Sequence, residues 1–146
     1  MPVNTSAVGK EYPSVTYAVG REKVKEYASA VGETNPLHLD PAAARAAGHA
    51  DVVAPPMFAV VYQSPAVMSG LFDPEVGINF AMMVHSGQSF RWERVVVAGD
   101  ELTTQARVSN IEEKGGMGFY DFDAVTKDAG GAVVCTGIWK MIVRGV

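Results

Sequence analysis

Two side chains in the first third of the sequence have the types and spacing for acid–base chemistry: Glu33 and His38, within Gly32-Glu33-Thr34-Asn35-Pro36-Leu37-His38. A carboxylate and an imidazole can divide a reaction that moves two protons, one on a water or hydroxyl and one on a carbon acid. Each positioned transfer contributes about 10²–10⁴-fold. Pro36 stiffens the segment and biases Asn35 toward extended backbone. The Asn35 side chain can brace such a loop through bonds to nearby backbone groups. Both functional groups are therefore expected to face one pocket. Each also has a plain reading, Glu33 as a solvated carboxylate just past a helix end and His38 as a satisfied loop histidine. Only the joint spacing argues for a site.

The elements that must position this pair follow from hydrophobic periodicity. Residues 14–19 form a short β-type run ending at Gly20, and residues 21–31 place Val24, Tyr27, Ala28 and Val31 at helical spacing. Gly32 stands where a C-terminal cap glycine belongs, so helix gives way to a turn through residues 32–38. Pro41 opens a second short helical piece that Gly48 stops. Residues 52–72, with Pro55 and Pro56 at the front, are apolar on every side and predict a buried helix. Pro65 within it predicts a kink, or a restart capped by Ser64, and two separate short helices fit equally well. From residue 86 onward the period changes to two. Turns at Ala98-Gly99-Asp100, at Lys114-Gly115-Gly116 and over 128–131 divide the rest into antiparallel strands, the last over 132–144. The sheet needs an apolar cover, and the buried helix is the obvious one. The expected class is α+β.

The order strand, helix, apolar helix and long antiparallel strands resembles the hot-dog fold, a curled sheet around a central helix. The segment from Gly32 to His38, followed by Ala44, is similar to the signature G-D-x-N-P-(aliphatic)-H-x5-(A/S) of MaoC-like (R)-specific enoyl hydratases and dehydratases, with Glu33 in the aspartate position. Val84-His85-Ser86-Gly87-Gln88-Ser89-Phe90 resembles that family's V-H-(G)-x-Q-x-F segment, and Val97-Ala98-Gly99-Asp100 its A-G-D turn. Residues 17–33 and 49–58 look most like the actinobacterial dehydratase subunits that pair as heterodimers in mycolic acid type elongation. Some chains of that subgroup keep the Asp/His site, and their partners lack it and help hold the acyl chain.

The resemblance implies one hot-dog domain over 1–146. It implies an (R)-specific 3-hydroxyacyl-thioester dehydratase, equivalently a 2-enoyl-thioester hydratase, of fatty acid metabolism. Glu33 and His38 would be catalytic, and Asn35, Pro56, Met57, Phe58, His85 and Gln88 would line the substrate site. No metal or cofactor is implied beyond the coenzyme A or acyl carrier protein that carries the substrate. A homodimer or a heterodimer with a second hot-dog subunit is expected, because a single hot-dog sheet has an open edge and long edges are normally covered. The acyl thioester is expected at the start of the central helix, around residues 55–58, where the helix dipole favours a polarised carbonyl.

Two departures bear on activity. Glutamate is one methylene longer than aspartate, and a displacement of about 1 Å costs on the order of 10²-fold in rate. Ala54-Pro55-Pro56-Met57 replaces the H-G-M whose glycine N–H donates to the thioester oxygen in catalytic relatives, and losing one such donor costs about 3 kcal/mol. One alternative is therefore a non-catalytic partner subunit that supplies wall and stability. A hot-dog thioesterase is a third reading, weakened because residues 57–68 carry no carboxylate.

The remaining polar and soft residues are less telling. For His85 and Gln88 structural hydrogen bonding is the alternative role, and His49 reads as a loop residue. Met57, Met68, Met82 and Met83 suit adaptable packing. Arg91, Arg94 and Arg107 read as solvated strand arginines or as phosphate contacts. A net charge of −4 argues against a nucleic-acid binder, which usually carries a basic face, and the lone Cys135 fits a reducing cytoplasm. The start of the chain has no apolar run after a basic stretch, and no apolar segment reaches the length that spans a bilayer, so a cytoplasmic protein is expected.

Overall fold

The computed structural model describes residues 2–146. Five strands, β1 (Val15–Ala18), β2 (Met83–Trp92), β3 (Glu101–Lys114), β4 (Met117–Lys127) and β5 (Val133–Arg144), form one antiparallel sheet in the order β1-β3-β4-β5-β2. Helices α1 (Arg21–Ala30), α2 (Pro41–Ala46) and α3 (Ala59–Leu71) lie between β1 and β2 in sequence, and α3 packs on the sheet. This is the expected hot-dog arrangement. The sheet is open, with β2 and β1 at its edges.

Alternation sets which face is buried. On β4, Tyr120, Phe122, Ala124 and Thr126 turn inward while their neighbours are half-buried. On β3, Leu102, Thr104, Ala106 and Val108 do the same, until the register shifts between Val108 and Asn110. That irregularity absorbs one residue, as a bulge does, and Ile111 returns to the core side. Each large apolar side chain fully buried here, such as Phe58, Val67 or Phe122, contributes about 1.5–3 kcal/mol.

The central helix departs from expectation in two ways. It runs unbroken through Pro65, so neither a restart nor a pair of helices forms. The Val61 carbonyl, which loses its usual donor to the proline, accepts instead from Ser64 Oγ at 3.4 Å. Nor is the helix buried all round. Ala59, Tyr62, Gln63, Ala66, Val67, Gly70 and Leu71 form the buried stripe, while Met68 remains 42% exposed and Phe72, at the C-terminal cap, 61% exposed. A single sheet can cover only one side of a helix, which explains the bare face. Gly70 lets the helix approach closely, since a Cβ there would collide with the Phe122 ring.

One polar side chain lies at the centre of this packing. Gln63, fully buried, donates through Nε2 to the Ala124 carbonyl (3.2 Å) and Thr126 Oγ1 (3.1 Å), and its Oε1 accepts from Trp139 Nε1 at 3.0 Å. Gly137 on β5 leaves room for that oxygen. The helix is thereby tied to two of the three interior strands, β4 and β5. Gln63→Leu leaves the Trp139 N–H without its acceptor in a dry core, a loss of about 1–3 kcal/mol. Urea denaturation should show a lowered midpoint with unchanged slope.

Candidate active site

The Glu33–His38 loop is built by a sequence of local caps. Helix α1 ends at Gly32, whose φ of +74° only glycine adopts easily, and the Glu33 amide then returns to the Ala28 carbonyl at 2.8 Å. Glu33 Oε1 accepts from the amides of Thr34 (3.0 Å) and Asn35 (3.1 Å). Asn35 Oδ1 in turn accepts from the Leu37 amide at 3.1 Å, capping a 3-10 turn over Pro36–His38. Asn35 braces the loop as its type and position suggested.

His38 is buried, and its Nδ1 lies 2.5 Å from the Val53 carbonyl. A carbonyl oxygen can only accept, so Nδ1 carries the hydrogen. In the neutral ring the lone pair is then on Nε2. The orientation of the ring and the identity of its basic nitrogen are thus set by one backbone group.

That backbone group is itself held firmly. Asp51 accepts from Arg21 Nε (3.0 Å) and Nη2 (2.7 Å), and from the Val52 amide (2.7 Å). Arg45 of α2 approaches the same carboxylate at 3.7 Å. The Arg21 hydrogen bonds first, and the Val52 amide second, hold the Asp51 carboxyl well down, at about 2. Val53 donates to the Leu37 carbonyl at 2.8 Å and pairs with Val97, and Ala54 donates to Val96 at 2.8 Å. Residues 52–54 therefore form a short extended piece between the His38 turn and the segment after β2.

The same piece leads to the start of the central helix. Pro56–Phe58 forms a 3-10 turn that continues into α3, and the Phe58 amide is used within it, donating to the Pro55 carbonyl at 2.9 Å. Pro56 has no N–H, so Met57 supplies the first amide of this turn. Trp92, at the end of β2, donates from its indole to the Pro56 carbonyl at 2.9 Å. Ala54, Pro55, Pro56, Tyr62, Trp92, Glu93, Arg94, Val95 and Val96 line a cavity of about 350 Å³ at this point. Burial raises both the Tyr62 hydroxyl and the Cys135 thiol beside it above their ordinary values.

Neither Glu33 nor His38, expected to face one pocket, is among the residues that line this cavity, and the other expected site residues divide. Pro56 is on the cavity wall and Met57, beside it, is 46% exposed. Phe58 is fully buried, with its ring edge-on to Tyr17, Tyr27 and Tyr62. It packs in the core. His85 is not at the approach to a strand, because β2 begins at Met83 rather than at 86. Pairing of Met83 and Val84 with Val143 and Ile142 extends the strand. Gln88 Nε2 donates to the Ile138 carbonyl (3.1 Å), which leaves Oε1 to accept from His85 Nε2 (3.0 Å), and the His85 ring stacks on Trp139 at 5.4 Å. Among the described residues no hydrogen bond joins His85 or Gln88 to Glu33 or His38. Arg94 is paired with Asp100 at 2.9 Å and Asp128 at 3.5 Å, and Arg107 with Asp123 at 2.9 Å.

Sequence reasoning missed Tyr62 and Trp92 as cavity residues, and Arg94, considered only as a phosphate contact, is on the same wall. Tyr62 had a signal, being an amphipathic aromatic inside an apolar run, where a buried hydroxyl normally needs a partner. Among the described residues no group of three or more His, Cys, Asp or Glu is gathered to hold a metal ion, and no helix is long and apolar enough to cross a membrane.

Residues 6–137 match the family described as FAS1-like, dehydratase domain region. The chain belongs to that family. Among curated relatives of this dehydratase-region chain, a UPF0336 protein of Clavibacter michiganensis subsp. michiganensis (strain NCPPB 382) is 48% identical over 146 residues, covering 99% of this chain and 98% of its own. A solved MaoC-like dehydratase superposes with a TM-score of 0.87 at 30% identity, over 97% of this chain, which spans 43% of that longer protein. A chain of the C-terminally truncated HadBC (3R-hydroxyacyl-ACP dehydratase) complex of Mycobacterium tuberculosis superposes with a TM-score of 0.84 at 23% identity, over 96% of this chain and 99% of the other.

Two outcomes follow for this dehydratase-region site. A carboxylate held below its unfolded value stabilises the fold above that value and ceases to do so as pH falls through the folded one. Asp51→Asn should therefore lower stability at neutral pH, and its deficit relative to wild type should shrink as pH falls from about 4 toward 2. In ¹⁵N-resolved NMR, the neutral form of His38 should be the Nδ1–H tautomer, with that hydrogen on the Val53 carbonyl.

Proposed function

We propose that this chain is an (R)-specific 3-hydroxyacyl-thioester dehydratase, equivalently a 2-enoyl-thioester hydratase, that works beside a second hot-dog subunit. The observation that carries the reading is the His38 ring, locked by the Val53 carbonyl as the Nδ1–H tautomer with its basic Nε2 left over, on the same short loop as the Glu33 carboxylate. Adding water to an enoyl thioester changes no overall oxidation state, so acid–base groups suffice. One group takes the proton of water as its oxygen bonds to the β-carbon, and a proton is delivered to the α-carbon. In dehydration the α-proton is taken and the leaving β-hydroxyl is protonated. His38 Nε2 is suited to accept a proton and, once protonated, to give it back. Glu33 keeps Oε2 clear of hydrogen bonds among the described residues, and its Oε1 bonds to two amides fix the direction of the carboxylate.

The second subunit is argued from the sheet. The outer side of β2 is unpaired, and the apolar side chains nearest that edge in sequence, Phe80, Met82 and Val84, are 45%, 43% and 46% exposed. Two-chain hot-dog dehydratases such as HadBC stand among the fold neighbours. A specific feature favours the alternative of a non-catalytic partner: Pro55 and Pro56 remove amides at the helix start where a thioester oxygen needs a donor. A thioesterase would call for a carboxylate on α3, which has none.

Purified protein mixed with crotonyl-CoA, followed at ~260 nm, tests the catalytic reading. Activity should be present, and His38→Ala and Glu33→Gln should each lower kcat/KM by about 10²–10⁴-fold, with little change in melting temperature for Glu33→Gln and a lowered one for His38→Ala, whose buried ring bonds the Val53 carbonyl. Rates within about twofold of wild type for both variants would remove these residues from the mechanism. Activity that appears only after a second hot-dog subunit is added, and that survives both substitutions in this chain, assigns the non-catalytic partner role instead.

A further inference from the structure

Two observations at the start of the central helix fit together. The first is a missing donor: Pro56 contributes no N–H, and the Phe58 amide is spent on the Pro55 carbonyl at 2.9 Å. The second is a spare donor: Tyr62 is 2% exposed, and its hydroxyl meets no oxygen or nitrogen partner among the described residues, only the Cys135 thiol. Helical side chains lean back toward the helix N-terminus, and Tyr62 accordingly lines the same cavity as Ala54, Pro55 and Pro56. The buried Cys135 thiol lies beside the hydroxyl, but a thiol is a weak partner. A buried polar group left without a partner is costly and in a native protein calls for an explanation.

We propose that the Tyr62 hydroxyl donates to the carbonyl oxygen of an acyl thioester bound in this cavity, in place of the helix-start amide that Pro56 lacks. This rests on the acyl-thioester reading of the site. The rest of the wall suits that ligand, with Ala54, Pro55, Val95, Val96 and the Trp92 ring presenting apolar surface. The Trp92 N–H is occupied by the Pro56 carbonyl, and both Arg94 Nη groups are held by Val95, Asp100 and Asp128, which leaves the Tyr62 hydroxyl as the neutral side-chain donor of this wall without an oxygen or nitrogen partner among the described residues. Its oxygen exposes less than 1 Å² in the empty cavity, so a wall residue must give way as the ligand enters. A hydroxyl donor on a helix would act as an oxyanion-hole group does, pairing more strongly as charge develops on the thioester oxygen.

The test compares S-octanoyl-pantetheine with S-octyl-pantetheine, which share chain and carrier arm and differ in the carbonyl oxygen. By calorimetry the wild-type protein should bind the thioester about tenfold more tightly, the value of one hydrogen bond. Tyr62→Phe should erase that preference while leaving S-octyl-pantetheine binding and melting temperature undiminished. Where hydration is measurable, the same variant should lower kcat by about 10²–10³-fold. Equal binding of the two compounds by wild type, or a preference that survives Tyr62→Phe, overturns the role of Tyr62 alone. A fall in melting temperature with equal weakening of both ligands also overturns it, marking the hydroxyl as a structural partner of Cys135. Failure of wild type to bind either compound overturns the acyl-thioester reading itself.

Discussion

The structure depends on how one helix is fastened to one sheet. A central helix packed only by apolar contacts can slide or rotate at modest cost, because hydrophobic burial has no direction. Gln63 removes that freedom. Its amide engages Ala124 and Thr126 on β4 and Trp139 on β5, and it does so where Gly137 offers the only space a strand can give up, that of a Cβ. The register of α3 is therefore fixed near its midpoint by directional bonds, with aromatic and small side chains filling in around them. Everything at the helix start, including the prolines, the cavity and the Tyr62 hydroxyl, inherits its position from that attachment.

A separate frame holds the histidine. Its parts are short and local: a glycine ending α1, an asparagine capping a 3-10 turn, and the extended piece 52–54 fixed through Asp51 to Arg21 and Arg45. The Val53 carbonyl links the two systems, since it orients His38 while the residues that follow it enter the cavity wall. The His38 ring itself is oriented by a backbone carbonyl and not by a long flexible side chain. That economy suits proton transfer, in which a misplacement of about 1 Å is costly.

Much of this was legible in the sequence, and the reasons are physical. Period-two alternation and glycine-rich turns marked β3, β4 and β5, because a sheet buried on one face imposes that pattern on every strand. The motif around Asn35 and Pro36 revealed the loop, because its capping bonds are made between near neighbours. Pro65 misled, since the compensating bond from Ser64 to Val61 is a matter of rotamer and not of composition. The start of β2 was misplaced because pairing with Val143 and Ile142, a long-range contact, decided it. Phe58 was taken for a ligand contact because proximity along the chain to Pro56 says nothing of which way a ring turns, and it turns into the core. Tyr62 stood out as an amphipathic aromatic in an apolar run, but the sequence does not tell which wall its hydroxyl reaches. The apolar outer face of α3 gives no distinctive pattern either, since an all-apolar helix looks the same in sequence whether its second side meets the same chain or another.

The bond from the Trp92 indole to the Pro56 carbonyl spans from the last residue of β2 to the first turn of the helix. The unpaired rim of the sheet and the mouth of the cavity are thus not mechanically independent. A strand added along that rim would restrain the residue that holds the doorway, so that joining a neighbour and shaping the chamber become one event.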